Sequence, residues 1–158
     1  MHPQSYTTDE KLVFGERKNT YYREFLNQAS HKDILPGVME LLIDLKTKKI
    51  KIAIGSSSRN TSLILARIGL SDYFDAVTDG NDTTRSKPDP EVFLLAAKRL
   101  GFPPLACLIV EGTSAGVEAA LAAGMLVLGV GSASNHPCAT HAVSSLQAVT
   151  VEMLLEIR

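Results

Sequence analysis

The sequence contains little of what marks several specialised classes of protein. Its two cysteines, Cys107 and Cys138, are too few for a disulfide framework, which favours a reducing compartment and predicts a cytoplasmic protein. Sixteen basic and seventeen acidic side chains give a formal charge of −1, so no basic surplus points to nucleic acid or to an anionic membrane. No apolar run approaches the ~18 residues of a membrane span, and the polar start MHPQSYTTDE lacks the apolar core of a secretion signal. The length of 158 residues and the hydrophobic fraction of 45% instead predict one globular domain.

Strand-like and helical segments alternate along the chain. The predicted strands are short and apolar, and turn residues such as Gly69 and Gly101 separate the helical segments. A capping box is expected at Thr7 and Glu10, at the start of the first helix. This alternation predicts βαβ units and therefore an α/β fold, a parallel sheet with helices on both faces. Strands are predicted at 50–54, 74–78, 107–110 and 125–130, and helices at 8–29, 38–49, 60–68, 90–100, 113–123 and 150–157.

A serine-rich turn follows the first predicted strand. Ligands of parallel sheets bind beyond the carboxyl ends of the strands, so this turn is a candidate site. Its small residues let backbone amides converge at the start of the next helix, where amides, hydroxyls and the helix dipole favour a phosphate. From this segment alone, an ordinary strand-to-helix turn is the simpler interpretation. The candidate phosphate ligands are Ser56, Ser57, Ser58, Arg59 and Asn60.

Two later segments each present one charged side chain. Lys87, in SKPDP, is held between a turn and a proline-started helix, where its charge suits a phosphoryl group or a carboxylate. A solvated lysine before a helix is an equally good interpretation. Glu111 ends an apolar strand and suits Mg²⁺, which takes oxygen ligands. The alternative is an acid that interacts with a helix dipole, and a single carboxylate is a weak metal site.

Other polar clusters predict no chemistry. His136, Cys138 and His141 match no standard zinc spacing, and Pro137 and the polar surroundings favour a surface loop. Asp79 and Asp82 follow a strand, and we expect them to be solvated loop residues.

Taken together, the three segments resemble the haloacid dehalogenase superfamily of phosphatases and phosphomutases. Ser56, Lys87 in SKPDPEVF and Glu111 in VEGTSAGVEAALAAGM are similar to its second, third and fourth motifs. The chain is most similar to the β-phosphoglucomutase subgroup, through Arg17-Lys18-Asn19 and LPGVMELLIDLKTKKIKIAIGSSSRN. The resemblance implies a Rossmann-like core with a helical cap. It also implies Mg²⁺-dependent phosphoryl transfer through an aspartyl-phosphate.

The resemblance also implies a role for each candidate residue. The ligand would be a small phosphorylated sugar or inorganic phosphate. Ser56 would hydrogen-bond the transferring phosphoryl group and Lys87 would neutralise its charge, so these two are the implied catalytic residues. Glu111 would be the metal ligand. The implied substrate-binding residues are Ser57, Ser58, Arg59 and Asn60 in the core and Lys18 and Asn19 in the cap.

The sequence departs from the family pattern in two places. No strand followed by Asp-x-Asp precedes Ile50, so residues 1–35 are expected to be a remnant of the cap and 36–158 a core without its first strand. Gly112 stands where the fourth motif has a second acid, so Mg²⁺ binding should be weak or absent. We therefore expect a chain that is impaired or inactive alone. A non-catalytic sugar-phosphate-binding module and the C-terminal part of a split enzyme are the alternatives.

The expected missing strand has a structural consequence. It would lie between the strands at 50–54 and 107–110 and leave each with an unpaired edge. Either these two strands pair directly, or another chain covers the gap. We favour a homodimer or an association with an N-terminal fragment.

Overall fold

The computed structural model describes residues 6–157, which form an α/β fold with parallel strands, as predicted. The observed bounds differ from the predicted ones by a few residues at most. The helices are α1 Thr8–Leu26, α2 Val38–Thr47, α3 Thr61–Ile68, α4 Glu91–Leu100, α5 Ser114–Ala122 and α6 Val151–Glu156. The strands are β1 Ala53–Gly55, β2 Ala76–Thr78, β3 Leu108–Glu111, β4 Leu126–Val130 and β5 His141–Val143.

Local side-chain chemistry sets several helix ends. At the start of α1, Thr7 Oγ1 accepts from the Glu10 amide at 3.2 Å and the Glu10 carboxylate accepts from the Thr7 amide at 2.8 Å, so the predicted capping box is confirmed. Helix α1 ends at Leu26 rather than at the predicted Ala29, because a short 3₁₀ turn with its own cap at Ser30 follows. Helix α3 ends at Gly69, which has the left-handed backbone (φ 76°) that favours glycine.

The strands form two separate sheets. Strand β1 pairs only with β2, in the register Ala53 to Ala76, and β3–β4–β5 form the second sheet, with Leu108 opposite Leu126. Within residues 6–157, β1 and β3 do not pair. The alternative in which these two strands close directly was therefore wrong, and each of them has one edge without a strand partner in this part of the chain.

Two hydrophobic clusters match the two sheets. One lies around β3, β4, α4 and α5 and includes Phe93, Val117 and Val127. The other lies around β1, β2, α2 and α3 and includes Leu42 and Leu65. Helix α4 contacts both strands of the first sheet and also contacts α5. Helix α4 therefore packs between the first sheet and the helix that covers the second sheet.

Helix α1 lies largely outside these clusters. Leu26 is its only buried residue, whereas Phe14, Tyr21 and Phe25 are exposed. Two side-chain bonds join α1 to the core: Asn19 with Asn60 and Asn27 with Arg67. The 19 residues of α1 include many charged side chains. Within residues 6–157, no helix is long and apolar enough to cross a membrane. The division into a cap remnant at 1–35 and a core at 36–158 stays a prediction, and residues 1–5 and 158 lie outside the described part.

Candidate functional site

The serine turn after β1 is held by bonds among its own residues. Ser56 Oγ accepts from the Ser58 amide and Ser58 Oγ accepts from the Asn60 amide, both at 3.1 Å. The Thr61 hydroxyl donates to the Ser58 carbonyl at 2.8 Å. The Ser56 amide donates to the Thr78 carbonyl at 3.0 Å and so continues the pairing of β1 with β2. The two serine hydroxyls accept within the turn, which leaves each O–H proton to donate to a ligand.

The loop that carries Lys87 is organised by the first turn of α4. The Glu91 carboxylate accepts from the Thr84 amide at 3.2 Å and from the Arg85 amide at 2.9 Å. These hydrogen bonds hold the pKa of Glu91 below its ordinary value, and the bond from the Arg85 amide has the larger effect. The Asp89 carboxylate accepts from the Glu91 amide at 3.0 Å, but α4 begins at Glu91 and its N-cap residue is Pro90, so the predicted N-cap at Asp89 was wrong by one residue.

Lys87 and Glu111 form an ion pair at the carboxyl end of β3. Their Nζ and Oε2 atoms are 2.7 Å apart, and the side chains are 14% and 12% exposed. The second oxygen, Oε1, accepts from the Gly112 amide at 2.9 Å and from the amide and hydroxyl of Thr113 at 3.0 Å. A Cβ at Gly116 would lie 2.0 Å from the Glu111 carboxyl carbon, so only a glycine there leaves room for this carboxylate.

The three segments meet where the two sheets come together. The Lys87 amide donates a long bond, 3.5 Å, to Ser57 Oγ in the turn after β1, while the Lys87 ammonium reaches Glu111 at the end of β3. The carboxyl ends of β1 and β3 therefore lie on the same side of the molecule. An ammonium and several hydroxyl donors at this edge suit an anion.

The predicted substrate-binding residues lie around the same edge. Asn60 donates from Nδ2 to Asn19 Oδ1 at 2.6 Å, which brings α1 over the turn. Lys18 lies on the exposed surface of α1, and Arg59 is exposed in the turn, where its carbonyl accepts from Asn81 Nδ2 at 3.0 Å. The geometry thus brings Asn19 of α1 to Asn60 of the turn, while the roles of all these candidates stay predictions.

Of the two expectations about polar loop residues, the one for Asp79 was wrong. Asp79 is 6% exposed rather than solvated, because its carboxylate accepts from the amide and side chain of Asn81, which folds the loop over it. Asp82 is an exposed loop residue, as expected, and it pairs with Arg99 at 2.6 Å, a bond that lowers the pKa of Asp82. The Asp79-x-Asn81 spacing is typical of a side-chain-capped turn and was the signal available in the sequence.

The histidine and cysteine cluster forms no metal site in the described chain. His136 Nδ1 accepts from the Cys138 amide at 3.2 Å, as a turn-forming residue does. His141 does not lie in a loop as expected but begins β5, where it pairs with Leu128. No group of three His, Cys, Asp or Glu side chains within 6–157 is placed to hold a metal ion.

Comparison with known proteins agrees with the fold and the motifs. Residues 3–124 match the haloacid dehalogenase-like hydrolase family. β-Phosphoglucomutase of Bacillus subtilis is 38% identical over 151 residues, which are 96% of this chain and 67% of that protein. A phosphorylated carbohydrates phosphatase of Thermotoga maritima is 36% identical over 118 residues, 73% of this chain and 51% of that one. The crystal structure of β-phosphoglucomutase from Clostridium difficile, 38% identical, has a TM-score of 0.89 and covers 96% of this chain and 68% of its own.

The chain belongs to the haloacid dehalogenase-like hydrolase family, and its β-phosphoglucomutase-like character is confirmed. Its relatives act in sugar-phosphate chemistry, as their names state. The chain spans about two thirds of the length of the first relative and about half of the second.

The family is generally Mg²⁺-dependent, but the described residues do not fit a magnesium site by themselves. Among the described residues, Glu111 is the one carboxylate bonded to Lys87, and both of its oxygens already accept hydrogen bonds. A magnesium ion would have to displace Lys87 or share an oxygen with it. Further carboxylates or phosphate oxygens would be needed to complete the coordination.

Proposed function

We propose that this chain binds the phosphoryl group of a small phosphorylated sugar at the edge formed by the serine turn, Lys87 and Glu111. The observation that carries the proposal is the half-buried lysine that lies beside a turn of hydroxyls at the carboxyl ends of β1 and β3. The sugar phosphates named in the relatives support the substrate class. Inorganic phosphate is the simplest ligand with the same chemistry.

Each residue has a distinct part in this proposal. Ser56 donates its hydroxyl proton to a phosphoryl oxygen, and Lys87 neutralises the charge. Glu111 holds the ammonium in place, and it would be a metal ligand only together with carboxylates from outside residues 6–157. Around them, the second phosphate or the sugar is bound by Ser57, Ser58, Arg59, Asn60, Lys18 and Asn19.

We propose that the chain alone does not turn over its ligand, or does so poorly. Phosphoryl transfer through a covalent phospho-enzyme needs an activated nucleophile, and a serine is a weak one unless a base removes its proton. Among the described residues, the Ser56 and Ser58 hydroxyl oxygens accept hydrogen bonds from backbone amides of the turn and from no side chain that would act as a base. The nucleophile and the carboxylates that complete a metal site would come from outside residues 6–157.

The unpaired edges of β1 and β3 support a partner of a specific kind. Within residues 6–157, β1 and β3 each have an edge without a strand partner, and their carboxyl ends lie on the same side of the molecule, so one further parallel strand between them would pair with both. We propose that such a strand is supplied from outside residues 6–157, by a longer form of the chain or by a separate fragment. A split enzyme is then the leading alternative to a purely ligand-binding module.

Titration with inorganic phosphate by isothermal calorimetry tests the binding site. Saturable binding is expected for the wild type, weaker binding for Ser56→Ala and the largest loss for Lys87→Ala. Lys98→Ala, which removes an exposed lysine further along α4, is the control and should bind as the wild type does. Equal affinities for Lys87→Ala and the wild type would contradict the proposal.

Hydrolysis of acetyl phosphate with Mg²⁺ separates the enzyme from the binding module. A wild-type rate equal to that of Lys87→Ala shows that the chain alone has no turnover at this site. Mixing the chain with a fragment that carries a strand ending in Asp-x-Asp then distinguishes the two alternatives. Activity that appears on mixing supports the split enzyme, and its absence supports the binding module.

A further inference from the structure

Lys87 has a neighbour that the motif alone does not reveal. Its ammonium nitrogen lies 4.4 Å from the centre of the Phe93 ring, within the range of a cation–π contact. Phe93 lies in the first turn of α4 and is only 4% exposed, so its ring is fixed by the core around it. The ammonium therefore contacts a carboxylate, Glu111, and an aromatic ring.

The ring in turn is packed against the last residue of β1. A Cβ at Gly55 would lie 2.7 Å and 2.9 Å from two carbons of the Phe93 ring, closer than such atoms approach. The backbone of β1 can reach the ring only because residue 55 has no side chain. The Phe93 ring thus packs against β1 on one side and against the Lys87 ammonium on the other, so a shift of β1 would also shift the ammonium.

We propose that Phe93 is a positioning residue that holds the Lys87 ammonium for the anion. This inference rests on the proposed phosphate-binding function. A ring face attracts the charge but has no lone pair that accepts a strong hydrogen bond. Of the three N–H donors of the lysine, one goes to Glu111, and the ring fixes the ammonium without an acceptor that competes for the others.

Gly55 also helps to place the Lys87 ammonium, because it leaves room for the Phe93 ring. A side chain there would displace the ring and with it the ammonium, even though Gly55 contributes no ligand. Gly55→Ala therefore disturbs the Phe93–Lys87 contact by pushing on the ring from β1, whereas a substitution of Phe93 removes the ring itself. The two variants test the same contact independently, which matters if one of them folds poorly.

The test measures phosphate affinity and the NMR signals of the Lys87 side chain in the same variants. A ring above the ammonium shifts the neighbouring CH₂ protons upfield, so the wild type should show Lys87 signals displaced from those of exposed Lys98. Phe93→Leu should return them to ordinary positions and weaken phosphate binding about three- to tenfold. Phe93→Tyr, which keeps the ring face, should retain both properties. Gly55→Ala should shift the Lys87 signals and weaken phosphate binding.

Val127→Ala is the control for a general loss of packing. Val127 is fully buried in β4, and its truncation should lower stability but leave the Lys87 signals and the phosphate affinity unchanged. The inference is overturned if Phe93→Leu leaves the Lys87 signals in place, or if Val127→Ala weakens binding as much as Phe93→Leu does. If the wild type binds no phosphate, the proposed function fails, and the NMR signals still decide whether Phe93 positions Lys87.

Discussion

The two sheets of this molecule are built to different degrees of completeness. In the second sheet, β4 has a strand on each side, and Val127 and Leu128 are 0% and 2% exposed. In the first sheet, β1 has one neighbour, and none of its residues is fully buried. The contrast shows where the fold needs another element. It also shows why the candidate site lies at the junction, since Lys87 contacts both Ser57 after β1 and Glu111 at the end of β3.

A matched pair of leucines gives the largest expected effect and tests this contrast directly. Leu128→Ala removes a buried side chain from β4 and should lower the free energy of unfolding by about 3 kcal/mol. Leu108→Ala makes the same change in β3, beside the open edge, where the side chain is half-buried, and should cost about 1 kcal/mol. Urea denaturation measures both losses. Equal losses would mean that the open edge is already covered.

The ion pair at the junction should couple the two sheets. Lys87→Met and Glu111→Gln should each lower the free energy of unfolding by about 1–3 kcal/mol, because each leaves a half-buried partner without its bond. The double variant should lose less than the sum of the single losses, which a double-mutant cycle reveals. The exposed pair of Lys48 and Glu152 also joins distant parts of the chain and is the control, with a smaller coupling expected. Strict additivity at Lys87 and Glu111 would contradict the account.

Gly112 offers a direct test of the metal deficit. A Cβ there would meet only the Val130 carbonyl, at 3.9 Å, so a side chain fits. Gly112→Asp should raise the affinity for Mg²⁺ by adding a second carboxylate beside Glu111. Gly112→Asn has the same size without the charge and should bind Mg²⁺ more weakly than the aspartate variant. Identical Mg²⁺ titrations for the two variants would show that Glu111 does not face a metal position.

The smallest effect expected is a pH dependence that arises from Glu91. The pKa of Glu91 is lowered because its ionised carboxylate accepts hydrogen bonds from the Arg85 and Thr84 amides. These hydrogen bonds stabilise the loop above about pH 4.5, and their contribution is lost as the pH falls through the folded-state pKa. Glu91→Gln should therefore lower Tm at pH 7 and have less effect at pH 3. Glu16→Gln, on the exposed surface of α1, is the control and should show no such difference. A Tm deficit that is the same at both pH values would exclude the carboxylate as its source.

The sequence predicted those parts that follow from local chemistry. The capping residue Thr7 and the stop at Gly69 carry their own signals, and the apolar runs predicted β1 to β4. The meeting of Ser57, Lys87 and Glu111 followed from one topological rule, because parallel strands have their carboxyl ends at the same edge.

Other parts depend on contacts between distant segments and could not be predicted. Strand β5 has three residues, and its strand geometry comes from pairing with β4 rather than from an apolar run. The burial of Asp79 depends on how its loop folds onto Asn81. The Phe93 ring meets Lys87 only because the intervening loop turns back on itself, and spacing alone does not specify such a path.

A crystal structure of the chain grown with inorganic phosphate would test the central claim most directly. The account predicts a phosphate within hydrogen-bond distance of both Lys87 Nζ and Ser56 Oγ, at the carboxyl ends of β1 and β3. A phosphate bound elsewhere, or aliphatic side chains packed between Ser56 and Lys87, would contradict it.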